Sequence, residues 1–192
     1  MDSMQTNDQQ TKNCTRWMIR RDMRQVMAIE QASFAQPWTE EDFLLCLRPR
    51  NAIGMVHEPR EPTNEDDAIQ GYVVYELHKD RLHLLNLAVH PQYRRLDVGT
   101  AMIAKLVGKL SSHHRTRITV EVRESNLPAL LFYKASGFTA GKVVRGAFKD
   151  TGEDGIRMTY RLPVDPDSTE AVDQEWIDLL NMDLSAVADL GN

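Results

Sequence analysis

Apolar residues recur along this chain at two periods. Between Arg21 and Ser33, Met23, Val26, Met27, Ile29 and Ala32 mark a helical stripe, and Gln36-Pro37-Trp38 breaks it. Thr39 then stands as an N-cap, with Glu41 and Asp42 in the first turn where carboxylates complement the helix dipole. That second helix runs through Phe43, Leu44, Cys46 and Leu47. From Val98, Met102, Ile103, Leu106, Val107 and Leu110 fit a third. Asn126 as N-cap, Pro128 in the first turn and Gly137 as a stop bound a fourth, Leu127 to Ser136. The shorter, strand-like runs are Trp17 to Arg20, Ala52 to His57, Gln70 to Leu77, Arg81 to Val89, Ile118 to Val122, Phe138 to Val144 and Ile156 to Arg161. Lys79-Asp80 joins the third and fourth of these as an antiparallel hairpin, while Glu58 to Asp67, with Pro59 and Pro62, reads as a charged loop. Strands interleaved with helices and adjacent hairpins predict a mixed α/β sheet.

Composition narrows the class. The chain has 192 residues and is 42% hydrophobic, enough for one core. No apolar run approaches the roughly 18 residues of a membrane helix. The polar residues 1–16 read as a disordered tail without the apolar stretch of a signal peptide. Two cysteines, Cys14 and Cys46, make neither a disulfide framework nor a four-thiolate zinc site. His113 and His114 stand together without a third ligand at metal spacing, so no metal is expected. A cytoplasmic protein is the expectation. The net charge of −5 is uneven: residues 163–192 hold eight acids and no Lys or Arg, which leaves +3 for the first 162. Within that segment Val172, Trp176, Leu179, Leu180, Leu184, Val187 and Leu190 recur at helical spacing. It reads either as a solvated extension or as an acidic amphipathic helix that docks on the body or on a partner. The body's Lys and Arg are dispersed and lack interleaved aromatics, which argues against direct nucleic-acid binding.

The informative stretch is Leu87-Ala88-Val89-His90-Pro91-Gln92-Tyr93-Arg94-Arg95-Leu96-Asp97-Val98-Gly99-Thr100. A strand ends, a basic loop follows, and a helix starts near Gly99. Free amides and the positive dipole end at a helix N-terminus can hold phosphates, and Arg94 and Arg95 add charge. Read alone, the loop is equally an ordinary strand–helix turn with solvated arginines.

Arg94-Arg95-Leu96-Asp97-Val98-Gly99 resembles motif A of the GCN5-related N-acetyltransferases, Gln/Arg-x-x-Gly-x-Gly/Ala. The resemblance continues in Val120-Glu121-Val122-Arg123-Glu124-Ser125-Asn126 and in Leu131-Phe132-Tyr133-Lys134-Ala135-Ser136-Gly137-Phe138. Upstream, Ala28-Ile29-Glu30-Gln31-Ala32-Ser33-Phe34 and Pro37-Trp38-Thr39-Glu40-Glu41 are similar to the RimI branch, the ribosomal-protein alanine N-acetyltransferases. The match spans about Trp17 to Leu162. It implies a mixed, mostly antiparallel sheet flanked by about four helices, with residues 163–192 as an acidic extension beyond the domain. It implies transfer of an acetyl group from acetyl-CoA to a primary amine, with a protein N-terminus, a ribosomal protein beginning in alanine, as acceptor. Backbone groups of Leu87, Ala88 and Val89 would meet the acetyl and pantetheine part, where the central strands part. Amides of Arg95, Leu96, Asp97, Val98, Gly99 and Thr100 would hold the pyrophosphate, and Asn126 the pantetheine arm. Glu121 matches the family's general base and Tyr133 its general acid.

The chemistry supports those roles. An ammonium cannot attack a thioester, so a carboxylate must take a proton, directly or through water. With pKa values of about 7.7–8.0 for an α-amine and about 10.4 for lysine, roughly 15% of the first and about 0.04% of the second is neutral at pH 7. A terminal amine therefore asks less of Glu121. The departing thiolate needs a proton, which a phenol can give. Glu121 as a plain strand carboxylate and Tyr133 as a core aromatic are the competing structural readings.

Two features depart from the pattern. Asp97 stands where the motif has its first glycine, whose bare backbone lets the pyrophosphate approach. It is either a tolerated substitution or the mark of a weakened site. Arg145-Gly146-Ala147-Phe148 stands where RimI relatives carry a pair of tyrosines, although Glu153-Asp154 and Met158 match. Two rivals therefore stay open: a small-amine acetyltransferase and a non-catalytic acyl-CoA-binding module.

Overall fold

The computed structural model describes residues 14–59, 69–111 and 115–163. The polar N-terminus through residue 13, most of the charged loop, His113-His114 and the acidic segment from residue 164 lie outside them. Seven strands form one sheet in the order β1-β2-β3-β4-β5-β7-β6. They are β1 (Cys14–Trp17), β2 (Ala52–Glu58), β3 (Gly71–Leu77), β4 (Arg81–Val89), β5 (Arg117–Arg123), β6 (Thr139–Phe148) and β7 (Glu153–Arg161). The helices are α1 (Met23–Ser33), α2 (Glu40–Leu47), α3 (Val98–Ser111) and α4 (Leu127–Ala135). β4 and β5 pair in parallel with α3 as their crossover, and the other neighbours pair antiparallel. The mixed, mostly antiparallel sheet with four helices agrees with the expectation. Among the described residues no helix is long and apolar enough to cross a membrane.

Local chemistry sets the helix ends. The Thr39 hydroxyl accepts the Asp42 N–H at 3.2 Å and Asp42 Oδ2 accepts the Thr39 N–H at 2.8 Å, a reciprocal cap opening α2. Asn126 Oδ1 accepts the Ala129 N–H at 3.2 Å, with Pro128 in the first turn of α4. Gly137 ends α4 at φ +88°, a conformation that favours glycine.

The first strand differs from its expected place. Cys14, Thr15 and Arg16, assigned by sequence to the disordered tail, pair with β2, and Trp17 ends the strand instead of starting it. Polar bonds hold it there. Thr15 Oγ1 meets His57 Nδ1 at 2.8 Å. Arg16 grips Glu58 through Nε and Nη2 at 2.8 and 2.7 Å and Asp22 through Nη1 at 2.6 Å. Asp22 Oδ2 also accepts the Ile19 N–H at 2.8 Å, which turns the chain toward α1.

The sheet has two different faces. Against α3 and α4 lies an apolar core that includes Leu82, Leu84, Met102, Leu106, Ile118, Val120 and Phe138. Against α1 and α2 lies a smaller one, with Val26, Ile29, Phe43, Tyr72, Val74 and Ala88. A bulge in β4 moves side chains between them. Leu84 opposes Tyr75 and Asn86 opposes Val74, so Leu85 is an extra residue. Leu82 and Leu84 therefore face α3, whereas Ala88 packs with the α1 cluster and Asn86 reaches Glu30 of α1.

Candidate active site

Beyond the bulge β4 and β5 part. Their register holds from Arg81↔Arg117 to Leu84↔Val120, and both strands continue past it without pairing to each other. A cleft of about 620 Å³ opens there. One wall is the end of α1 and the following loop, with Glu30, Phe34 and Trp38; the floor is Asn86, Leu87 and Glu121; the far wall is Asn126, Tyr133 and Phe148. The proposed base, the proposed acid, Asn126 and Leu87 thus share one cavity. Ala88 and Val89 follow Leu87 along the parted edge and do not line it, nor does the loop Arg95 to Thr100.

Glu121 projects from β5 on the face opposite Val120 and Val122, which are buried in the α3-side core. Its Oε1 accepts Nη2 and Nε of Arg157 at 2.5 and 3.2 Å. Tyr133 is buried between Phe132 and Phe138, with ring centroids 5.2 Å from each. Burial pushes its phenol well above the ordinary value, which keeps the proton on. Its hydroxyl makes no hydrogen bond among the described residues. Asn126 spends Oδ1 on the α4 cap, and its amide nitrogen has no partner among the described residues.

The loop before α3 carries two non-glycine residues in the left-handed region, Arg95 at φ +65° and Asp97 at φ +58°. Asp is among the few residues that enter this region at modest cost, so the exposed Asp97 holds a turn that glycine would take freely. Its carbonyl accepts the Ala101 N–H at 2.8 Å and opens α3. Arg94 does not serve as a spare cation: it donates to Val89 O and Ser33 Oγ, each at 3.1 Å, and ties the loop to α1. Arg95 has no such partner among the described residues. Val98 is buried in the core. A Cβ at Gly99 would lie 3.0 Å from Phe132, so glycine lets the start of α3 approach α4.

The α1-side wall carries a residue quoted above only for its resemblance. The Glu30 carboxylate is buried and accepts from Tyr72 Oη, from the Trp38 N–H at 2.7 Å and from Asn86 Nδ2 at 3.3 Å. It joins α1, β3, β4 and the α1–α2 loop at the cleft edge. The sequence signal was a carboxylate four residues after Val26, on the buried stripe. Trp38 packs edge-on against Phe43 at 5.2 Å, as an anchor beside the cleft. Opposite, Arg123 lies 4.1 Å from the Phe148 ring centre and bonds Asp150 and Thr151, fastening the β6–β7 turn. In the segment that departs from the tyrosine pattern, Arg145 pairs with Asp154 at 2.5 Å and Gly146 takes φ +56°. Among the described residues no group of three or more His, Cys, Asp or Glu could hold a metal ion.

A parted central strand pair, a helix N-terminus beside it, and a carboxylate and phenol in the gap define a class. The chain belongs to the acetyltransferase (GNAT) family, whose model matches residues 23–138. It is similar to a Bacillus subtilis protein named as a candidate ribosomal protein bS18-alanine N-acetyltransferase, 31% identical over 149 residues, covering 77% of this chain and 95% of that protein. The Escherichia coli K12 ribosomal protein bS18-alanine N-acetyltransferase is 28% identical over 138 residues, covering 71% and 87%. Two solved structures share the fold. The ribosomal-protein-S18-alanine N-acetyltransferase from Escherichia coli has a TM-score of 0.67 at 23% identity, covering 83% of this chain and 99% of that one. Arabidopsis thaliana NAA60, solved in complex with acetyl-CoA, has a TM-score of 0.67 at 17% identity, covering 78% and 98%.

Proposed function

We propose that this chain is a cytoplasmic, acetyl-CoA-dependent N-acetyltransferase acting on the α-amine at a protein N-terminus, with an alanine-starting ribosomal protein as the acceptor. The observation that carries this reading is the cleft between the parted ends of β4 and β5, which holds Glu121, Asn126 and Tyr133 together. In it Glu121 takes the acceptor's proton, and Tyr133 gives its phenolic proton to the departing thiolate and regains one from solvent afterwards. The parted edge at Leu87, Ala88 and Val89 and the amide nitrogen of Asn126 meet the acyl and pantetheine part. The amides of Arg95, Leu96, Asp97, Val98, Gly99 and Thr100 and the Arg95 side chain, which has no partner among the described residues, fit a pyrophosphate at the helix N-terminus. Acetyl-CoA supplies the thioester. The named activities of the relatives support an amine at a protein terminus over other acceptors.

The test is mass spectrometry of acetyl transfer to a basic peptide that begins with alanine and contains a lysine, with its terminus free and then blocked. Acetylation at the terminus alone is the expected result. Transfer to the lysine in the blocked peptide would overturn the α-amine reading. A second acceptor class, a small amine, is favoured by Arg145-Gly146-Ala147-Phe148, and a polyamine competing in the same assay separates it. Acetyl-CoA binding without any transfer would identify a non-catalytic module.

A further inference from the structure

Glu121 and Arg157 stand directly opposite each other in the antiparallel pairing of β5 and β7. Their neighbours, Val120↔Met158 and Val122↔Ile156, turn to the apolar face, so both charged side chains project together toward the other one. Arg157 presents one edge of its guanidinium, and both nitrogens of that edge bond the same oxygen, Oε1. Oε2 has no partner among the described residues. Two neighbouring side chains on this sheet face are otherwise engaged among the described residues. His83 of β4 is kept neutral by burial and bonded to Thr119 Oγ1 at 3.0 Å, and Arg123 is committed to Asp150, Thr151 and Glu153. Among the described residues Arg157 is therefore the cation that restrains Glu121.

The pair adds little to stability. Its side chains are 37% and 26% exposed, and solvent screens most of the attraction in a partly exposed ion pair. Its effect is geometric: an unrestrained glutamate samples several rotamers, and each one moves the oxygen that must meet the acceptor.

We propose that Arg157 is a positioning residue for acetyl transfer: by occupying Oε1 it fixes the carboxylate so that Oε2 meets the acceptor ammonium. This rests on Glu121 being the base. The proton passes from the ammonium nitrogen to Oε2, directly or through one water, leaving a neutral amine and a neutral carboxyl that later returns the proton to solvent.

The experiment is a kinetic cycle on the full chain with the alanine-starting peptide, using R157M, R157K, E121Q and E121Q/R157M. Misplacing a reacting group by about 1 Å costs up to about a hundredfold, so R157M should lower kcat by about tenfold to a hundredfold. The Kd for acetyl-CoA, measured by calorimetry, should stay within about twofold, and R157K, one point charge without the two-pronged edge, should recover only part of kcat. In the E121Q background R157M should then cost less than about twofold, because two residues acting through one oxygen are not additive. Equal losses in both backgrounds, or R157M at the wild-type rate while E121Q is slow, overturns the inference. E121Q at the wild-type rate removes the base assignment itself and this inference with it. If R157M melts early, R157K in both backgrounds carries the same comparison.

Discussion

Along their first four paired positions β4 and β5 form an ordinary sheet interior; a few residues further the same two strands form a reactive cleft. In the paired half Leu82, Leu84, Ile118 and Val120 are buried side by side on the α3 face. In the parted half Asn86 bonds a buried carboxylate, Glu121 has one oxygen without a partner among the described residues, and the backbone of β4 runs on toward the loop before α3. One extra residue, Leu85, separates the two. The bulge reverses which face the following side chains occupy and bends β4 away from β5. The stiff half thus fixes where the open half begins, and stability and chemistry sit in different stretches of one strand pair.

That division can be broken by mutation. The largest effect is expected at Glu121: Glu121→Gln should lower kcat by about a hundredfold to ten-thousandfold while leaving acetyl-CoA affinity and the melting midpoint near wild type. Equal losses of turnover and cofactor affinity would mean that Glu121 serves structure. The paired half should answer in the opposite way. Leu82→Ala removes a fully buried side chain and should cost about 2–5 kcal/mol in denaturant unfolding, with the kinetics of the folded fraction little changed. Tyr133→Phe probes the boundary, because the residue belongs to the buried core and also lines the cleft. Loss of a proton donor at the low end of its range predicts about a hundredfold lower kcat, with a small change in stability because no hydrogen bond among the described residues is lost. A large stability loss without a rate loss would make Tyr133 a core residue only.

Much of this arrangement was legible in the sequence, and the rest was hidden for physical reasons. Helices α1 to α4 followed from apolar spacing and caps, because those signals are local. The strand Cys14–Trp17 did not, because side-chain bonds from Thr15 and Arg16 hold it, and apolar periodicity is blind to them. The bulge at Leu85 was equally hidden: the run Leu82 to Ala88 alternates smoothly in burial while it changes faces. Glu121 and Tyr133 came from the family pattern, but Arg157 could not. It meets Glu121 only because β7 lies between β5 and β6, an order that chain sequence does not dictate. Asp97 read either as a tolerated substitution or as the mark of a weakened site. Its φ of +58° shows a conformation that Asp tolerates, so Asp97→Gly should alter acetyl-CoA affinity by less than about threefold, whereas β-branched Asp97→Val should cost about 1–2 kcal/mol in backbone strain and weaken binding. Titration calorimetry of the two variants compares them directly.

The smallest effect concerns how the open half is held. Burial raises Glu30 above the ordinary carboxylate range, although the Tyr72 hydroxyl, the Trp38 N–H and Asn86 partly counter it. A carboxyl with a raised folded-state value binds more protons folded than unfolded between the two values. Stability from this group is then complete below the unfolded value of about 4.3 and declines as pH rises through the folded one. Glu30→Gln removes the titration while keeping one acceptor for the three donors, and leaves the Gln amide facing a donor. Unfolding midpoints measured from pH 4 to pH 7 should therefore show wild type losing stability relative to Glu30→Gln as pH rises. The mutant should have the higher KM for the peptide at every pH, because the Trp38 loop is then less firmly tied to the cleft edge. A pH-independent difference would mean that Glu30 keeps one charge state throughout. The wall opposite Glu121 would then be as inert to pH as the leucines of the paired half.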